Sequence, residues 1–321
     1  MSPSFDPTST TTSTTTSTIK VKGRAGGPGA EVSLVRYAAR GQGVRQILLH
    51  GNPSRAEHWG VIAPQLGPGE LVALDHPGFG ESGALAPEAP TLRWSAEMVL
   101  GALDAAGLGG EPFEAVGHSH GGFVAVAMAA LAPERVASLV LLSTGGTPAH
   151  FTYRLLPRRA VRAALGGVAA ALGRSWGGGR AGELAIEAST RALFAPESPP
   201  AGYGRAEFAA LRARPDVLGA MARLTLADPC AEVAEHAAHV RAPALFVHGR
   251  SDRVVPIAYA RRLATLLEGA GAPVRFETLA GGHMLHVTQP ERVGRSIADW
   301  RSLAFAREPV GERTPDGSRG Q

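Results

Sequence analysis

The sequence predicts an α/β protein: a mostly parallel central sheet, helices on both of its faces, and a helical cap inserted between two parts of the sheet. Three observations predict it. Short continuous apolar runs alternate with helical segments on both sides of the middle of the chain, as for strands covered on both faces. Turn motifs containing glycine, histidine and aspartate stand directly after those runs. Between residue 145 and about residue 238 the alternation stops, and no clear strand-like run occurs.

Taken in order, residues 19–22 and 31–37 largely alternate polar and apolar, which is the period of half-buried strands. The Gly26-Gly27-Pro28-Gly29 run between them reads as a hairpin turn. The runs 46–49 and 71–74 are continuously apolar or nearly so, and lead into His50-Gly51-Asn52-Pro53 and Asp75-His76-Pro77-Gly78. Residues 92–106 have helical spacing and stop at Gly107. A strand at 113–116 leads into Gly117-His118-Ser119-His120-Gly121, and a small-residue helix follows to Leu131, closed by Pro133. A further buried strand is expected at 138–142.

Helical segments at 158–172, 183–193 and 208–213 then follow, broken by Gly177-Gly178-Gly179 and by the proline-rich stretch 196–200. Afterwards strands at 244–247 and 274–279 alternate with helices at 257–268 and 290–303. The expected organisation is a disordered Ser/Thr-rich tail (1–18), a first part of the core (19–143), a helical cap (144–240), a second part of the core (241–304) and a flexible tail (305–321).

Composition narrows the function. Hydrophobic content of 44% and charged content of 19% are globular values. Lys20 and Lys22 are the only lysines among 32 basic side chains, and the arginines are interleaved with acids instead of forming the stripe that phosphate backbones need. No nucleic-acid partner is expected. Cys230 is the only cysteine, so neither an internal disulfide nor a multi-cysteine metal site can form. The N-terminal tract lacks the apolar centre of a secretory signal, and no stretch is long and apolar enough to cross a membrane, so a cytoplasmic setting without membrane attachment is expected. Oligomeric state is not legible.

The chemistry gathers around Ser119, the centre of a G-x-S-x-G pattern between a strand and a helix. A strand turning sharply into a helix strains the residue at the apex, and glycine at the positions two before and two after removes the Cβ atoms that would clash. A serine so presented is a weak nucleophile without a base, and histidine is the side chain with a pKa suited to that work. An acid behind the histidine fixes its tautomer. Asp252 and His283, each shortly after an expected strand, supply these in the order Ser119, Asp252, His283. Asp228, Asp299 and His286 are the rivals. His118, His120 and His50 could suggest a metal, but no partnered ligand spacing appears. Trp59 and Phe79 are candidates for the pocket wall, with core packing the plainer role.

HGNPS (50–54), DHPGFGES (75–82), GHSHGG (117–122), HGRSDRVVP (248–256) and GGHMLH (281–286) occur in order, each after a strand-like run. On these motifs the sequence resembles members of the alpha/beta-hydrolase superfamily over about residues 20–304. The resemblance implies Ser119 as nucleophile, Asp252 as acid and His283 as base, with an oxyanion hole from the main-chain N–H groups of Asn52 and His120. HGNPS is also similar to haloalkane dehalogenases, but those carry aspartate at the elbow apex. A serine there would leave an ether that water does not cleave, which argues against dehalogenation and epoxide hydrolysis. The expectation is hydrolysis of a small-molecule carboxylic ester with no metal or organic cofactor. Carbon–carbon bond hydrolysis beside a ketone, thioester hydrolysis or acyl transfer, and ligand binding without turnover remain as alternatives. Arg154, Arg158, Arg159 and Arg162 in the cap could attract an acidic substrate, though a solvated helix face is the plainer role.

Overall fold

The computed structural model describes residues 14–23, 28–85, 90–146, 180–227 and 229–304. Among the described residues eight strands form one sheet: β1 (Thr14–Val21), β2 (Ala30–Arg40), β3 (Gln46–Leu49), β4 (Gly69–Leu74), β5 (Phe113–His118), β6 (Val136–Leu142), β7 (Ala244–Gly249) and β8 (Val274–Leu279). Their spatial order is β1-β2-β4-β3-β5-β6-β7-β8. The first two ladders are antiparallel and all the others parallel. The helices are α1 (Leu92–Ala105), α2 (His120–Leu131), α3 (Arg180–Phe194), α4 (Tyr203–Ala213), α5 (Asp216–Leu226), α6 (Pro229–Ala237), α7 (Ile257–Gly269), α8 (Leu285–Thr288) and α9 (Pro290–Ala304). Two 3₁₀ turns, Ala56–Val61 and Ala63–Gln65, follow β3.

The apolar runs are continuous because both sheet faces are covered. Ile47 and Leu49 pack with Val72, Leu139 and Phe246 on one face, under α1, α2 and α7. Leu48, Leu71, Val140 and Leu245 point the other way, against Trp59, Val293, Ile297 and Trp300. This is the two-residue period of a strand read on two apolar faces at once. Each fully buried Leu or Ile contributes about 1.5–3 kcal/mol, so the strands of the core are fixed in register by many such side chains. The N-terminus of α1 is capped by Thr91, whose hydroxyl accepts from the Trp94 N–H at 3.0 Å.

One expectation needs correction. The sequence reads as a disordered tail over 1–18, but β1 begins at Thr14 and pairs residue by residue from Thr14↔Tyr37 to Val21↔Ala30. The β-branched threonines suit an extended strand, and the ladder to β2 supplies partners that a solvated Ser/Thr tract lacks. The expected helix at 158–172, the break at 177–179, Asp228 and the four cap arginines lie outside the described residues. So do residues 26 and 27 of the hairpin turn. Among the described residues, helices α3 to α6 stand between β6 and β7, as an insertion in the alternation of strand and helix. No helix among the described residues is long and apolar enough to cross a membrane.

Candidate active site

Ser119 sits between β5 and α2 with φ 51° and ψ −116°. Such a left-handed conformation costs a non-glycine residue about 1–3 kcal/mol, and the surrounding contacts hold it. The Ser119 N–H donates to the Leu142 carbonyl at 2.9 Å, and the Thr144 hydroxyl donates to the Ser119 carbonyl at 3.2 Å. A Cβ on Gly117 would lie 2.5 Å from the Gly121 oxygen, and one on Gly121 would lie 2.1 Å from the Leu49 oxygen. Only glycine fits at either position, which is why the elbow can form.

Asp252 follows β7 by three residues and His283 follows β8 by four. Their loops are joined by main-chain bonds, Arg250 N–H to the Leu279 oxygen at 2.8 Å and Ser251 N–H to the Gly281 oxygen at 2.9 Å. One carboxylate oxygen of Asp252 accepts from the N–H groups of Val254 (2.9 Å) and Val255 (2.8 Å). The other lies 2.8 Å from His283 Nδ1. A carboxylate can only accept, so Nδ1 carries the proton and Nε2 is left as the basic nitrogen. Both side chains are buried. His248 adds a second imidazole, its Nε2 3.5 Å from the same carboxylate oxygen and donating to the Val255 carbonyl at 2.8 Å. The sequence reading did not single out His248; its place four residues before Asp252 at the end of β7 was the available signal.

Of the expected residues, the structure therefore brings Asp252 and His283 into direct contact. Among the described residues no hydrogen bond joins the Ser119 hydroxyl to His283; the two are linked through His118. Its ring lies 4.8 Å from that of His283, and its Nε2 donates to the His283 carbonyl at 3.1 Å. His286, the rival base, instead packs against His118 and Trp59, at 4.2 and 5.4 Å between ring centres. Asp299 is exposed on α9. Trp59 and Phe79 are core side chains, each 1% exposed.

His120 contributes the first N–H of α2, directly after Ser119. Its ring stands edge-on to His76, and burial, followed by the charge of His76, pushes its pKa down to about 3. The loop bearing Asn52 reaches the elbow at Gly51, where a Cβ would lie 3.2 Å from Ser119 Cβ. The Asn52 side-chain amide donates to the Met221 carbonyl of α5 at 3.2 Å, tying this loop to the inserted helices. His50 supports the loop: its Nε2 accepts from the His76 N–H at 3.0 Å, and its Nδ1 lies 2.8 Å from the Gly51 carbonyl. Burial pushes its pKa down to about 3. Asp75, at the end of β4, accepts from the N–H groups of Ala56 (2.6 Å) and Glu81 (3.0 Å), and burial raises its pKa to about 6.

Where the inserted helices meet this loop lies a polar cluster that the sequence reading missed. Arg55 Nη1 is 2.9 Å from Glu207 Oε1, and His58 Nε2 is 3.0 Å from the same oxygen. The Ser54 hydroxyl and the Tyr203 hydroxyl lie 2.8 and 3.2 Å from His58 Nδ1. Burial works to raise the pKa of Glu207, but His58 and Arg55 outweigh it and hold the carboxyl below its ordinary value. Tyr203 and Glu207 lie four residues apart, on one face of α4. Their partners are about 150 residues away in sequence, so no local pattern signals them.

The sheet order, the strained serine between β5 and α2, and the acid–histidine pair after β7 and β8 define an alpha/beta-hydrolase architecture. The chain belongs to the alpha/beta hydrolase fold family, whose pattern it matches over residues 47–290. Among relatives, it is 28% identical over 247 residues to RutD of Klebsiella pneumoniae (strain 342), provisionally named a carbamate hydrolase, covering 74% of this chain and 84% of that protein. It is 35% identical over 124 residues to a 2-hydroxy-6-oxo-6-phenylhexa-2,4-dienoate hydrolase of Comamonas testosteroni, covering 37% and 43% of the two chains. In structure it resembles a thermophilic esterase from Thermogutta terrifontis, with a TM-score of 0.69 at 22% identity, over 90% of this chain and 99% of that one.

Proposed function

We propose that the chain is a serine hydrolase that cleaves a small-molecule carboxylic ester through Ser119, His283 and Asp252. The observation that carries this reading is the 2.8 Å contact between His283 Nδ1 and Asp252 on the same sheet edge as the strained Ser119. His283 Nε2 takes the Ser119 proton as Oγ attacks the carbonyl carbon. The tetrahedral oxyanion is met by the N–H groups of Asn52 and His120, each such donor contributing roughly 3 kcal/mol. His283 then passes the proton to the leaving alcohol, and the C–O bond breaks. Water, deprotonated by His283, releases the acid from the acyl-enzyme. This chemistry needs no metal or organic cofactor.

A fluorophosphonate probe with peptide mapping tests the reading, alongside turnover of p-nitrophenyl acetate. Labelling at Ser119, absent in Ser119→Ala and much weakened in His283→Ala, together with sustained turnover, is the expected result. A folded protein that neither labels nor turns over would overturn it and bring forward a ligand-binding role.

Carbon–carbon bond hydrolysis is the second reading, supported by relatives named as hydrolases of 2-hydroxy-6-oxo dienoates, compounds that carry no ester bond. A vinylogous diketone hydrolysed at least tenfold faster than any ester would decide for it. Thioesters and acyl transfer to added alcohols belong in the same screen.

A further inference from the structure

A cavity of about 410 Å³ lies between the inserted helices and the loop after β3, within the range of small-molecule pockets. Ile186, Leu193, Leu211, Val217 and Met221 of α3, α4 and α5 form its apolar walls, and Pro53 and Ser54 of the loop after β3 line it as well. Ser119 and His283 are not among its walls. It adjoins them through the loop itself, because Gly51 lies against Ser119 and Asn52 lies between Gly51 and Pro53.

We infer that this cavity receives the acyl chain of the substrate, and that this chain is apolar and uncharged. The inference rests on the serine-hydrolase reading above. The side of the reaction follows from the proton. The leaving group must lie beside His283 to receive it, so the acyl group extends the other way, past the oxyanion donors. The residues directly after Asn52 line the cavity, and His283 does not.

The charge of the chain follows from the lining. Among the described residues, two arginines, Arg55 and Arg214, face the cavity together with three glutamates, Glu57, Glu81 and Glu207. Neither arginine is spare. Arg55 is held by Glu207 at 2.9 Å and Glu57 at 3.2 Å. Arg214 is bound in a fork to Asp216 at 2.8 and 3.0 Å and donates to the Gly80 carbonyl at 2.7 Å. A carboxylate entering here finds both cations of the described lining occupied and an excess of like charge among the described residues, whereas methylenes find Leu211, Val217 and Met221.

The test is a series of p-nitrophenyl esters with one leaving group: acetate, butyrate, hexanoate, and the mono-ester of adipic acid, which is the hexanoate chain ending in a carboxylate. We expect kcat/KM to rise at least about tenfold from acetate to hexanoate, a modest return for four added methylenes. The adipate mono-ester should fall at least about tenfold below hexanoate. Leu211→Trp should lower the hexanoate-to-acetate ratio about tenfold or more by filling the cavity. Ala210→Phe, on the same face of α4, serves if Leu211→Trp does not fold. Ser119 labelling with turnover but a flat or falling length profile, or a preference for the adipate ester, overturns this inference and leaves the hydrolase reading standing. Failure of both labelling and turnover overturns both.

Discussion

His118 Nε2 lies 3.1 Å from the carbonyl oxygen of His283, so the residue before Ser119 is hydrogen-bonded to the main chain of the histidine proposed to activate that serine. The bond spans 165 positions of sequence and joins the end of β5 to the loop after β8. Among the described residues no hydrogen bond joins Ser119 to His283 directly, and this contact ties the elbow to the histidine loop. Replacing His118 with leucine keeps much of the volume and removes the donor. The expected result is a fall in kcat of about ten- to a hundredfold with KM nearly unchanged, as for a misplacement remote from the substrate. His118→Gln, which can still donate, should recover part of kcat. An unchanged kcat in the leucine variant would remove His118 from any positioning role.

The anchoring of Asp252 makes a second expectation. Its Oδ1 is fixed by two main-chain N–H groups and its Oδ2 faces His283 Nδ1. Asparagine would keep the shape but can turn an N–H₂ toward Nδ1, which then favours the wrong tautomer. Asp252→Asn should lower kcat by about 10⁴-fold with little change in folding. A loss below tenfold would return the acid role to another carboxylate.

Stability should fall steeply on acidification, and the buried histidines decide the sign. His50, His120 and His286 are each pushed to about 3 by burial, and His76 and His118 also lie well below the ordinary value. A group whose pKa is lowered by folding stays neutral in the native state while the unfolded chain takes up its proton below about 6.5. The native state therefore loses stability as pH falls through that value, by about 2 kcal/mol per ring at pH 5 for a ring at 3. Asp75 works the other way. Its carboxyl, raised to about 6, takes a proton in the native state first and returns only about 1 kcal/mol between pH 7 and 5. Several rings outweigh one carboxyl, so the urea midpoint should drop markedly from pH 7 to 5. A flat or rising midpoint would mean that these histidines are not held neutral.

How much of this was legible in the sequence depended on whether a feature was local. Continuous apolar runs such as 46–49 marked buried strands because each alternates between two covered faces. The elbow was legible because Gly117 and Gly121 bracket Ser119 within five residues. Residues 14–18 are not legible as a strand because a Ser/Thr tract suits both solvent and an edge ladder, and only the pairing with β2 decides between them. Glu207, Arg55, His58 and Tyr203 gave no signal, since each is ordinary in its own segment and they meet only when α4 packs on the loop after β3. His283 and its rival His286 have only two residues between them, and the fold separates them: His283 contacts Asp252, whereas His286 packs on His118 and Trp59.

The Arg55–Glu207 pair carries the last expectation, a gain in place of a loss. If the cavity rejects anionic acyl chains because Arg55 is already neutralised, then removing its partner should admit them. Glu207→Gln keeps the shape, frees the Arg55 guanidinium on its Nη1 side and removes one of the three glutamate charges of the described lining. Unit charges 4 Å apart exchange about 4 kcal/mol at an effective dielectric of 20, and a third of that is tenfold. The ratio of adipate mono-ester to hexanoate turnover should therefore rise at least about tenfold. Breaking a partly buried pair also destabilises the protein, so the ratio of two substrates on one preparation is the informative measurement. The double variant Arg55→Gln with Glu207→Gln removes the freed cation and should return the ratio toward the parent value. A gain that survives in the double variant would assign the selectivity to the glutamate charge alone. No gain in the single variant would mean that acyl chains do not pass Arg55 at all.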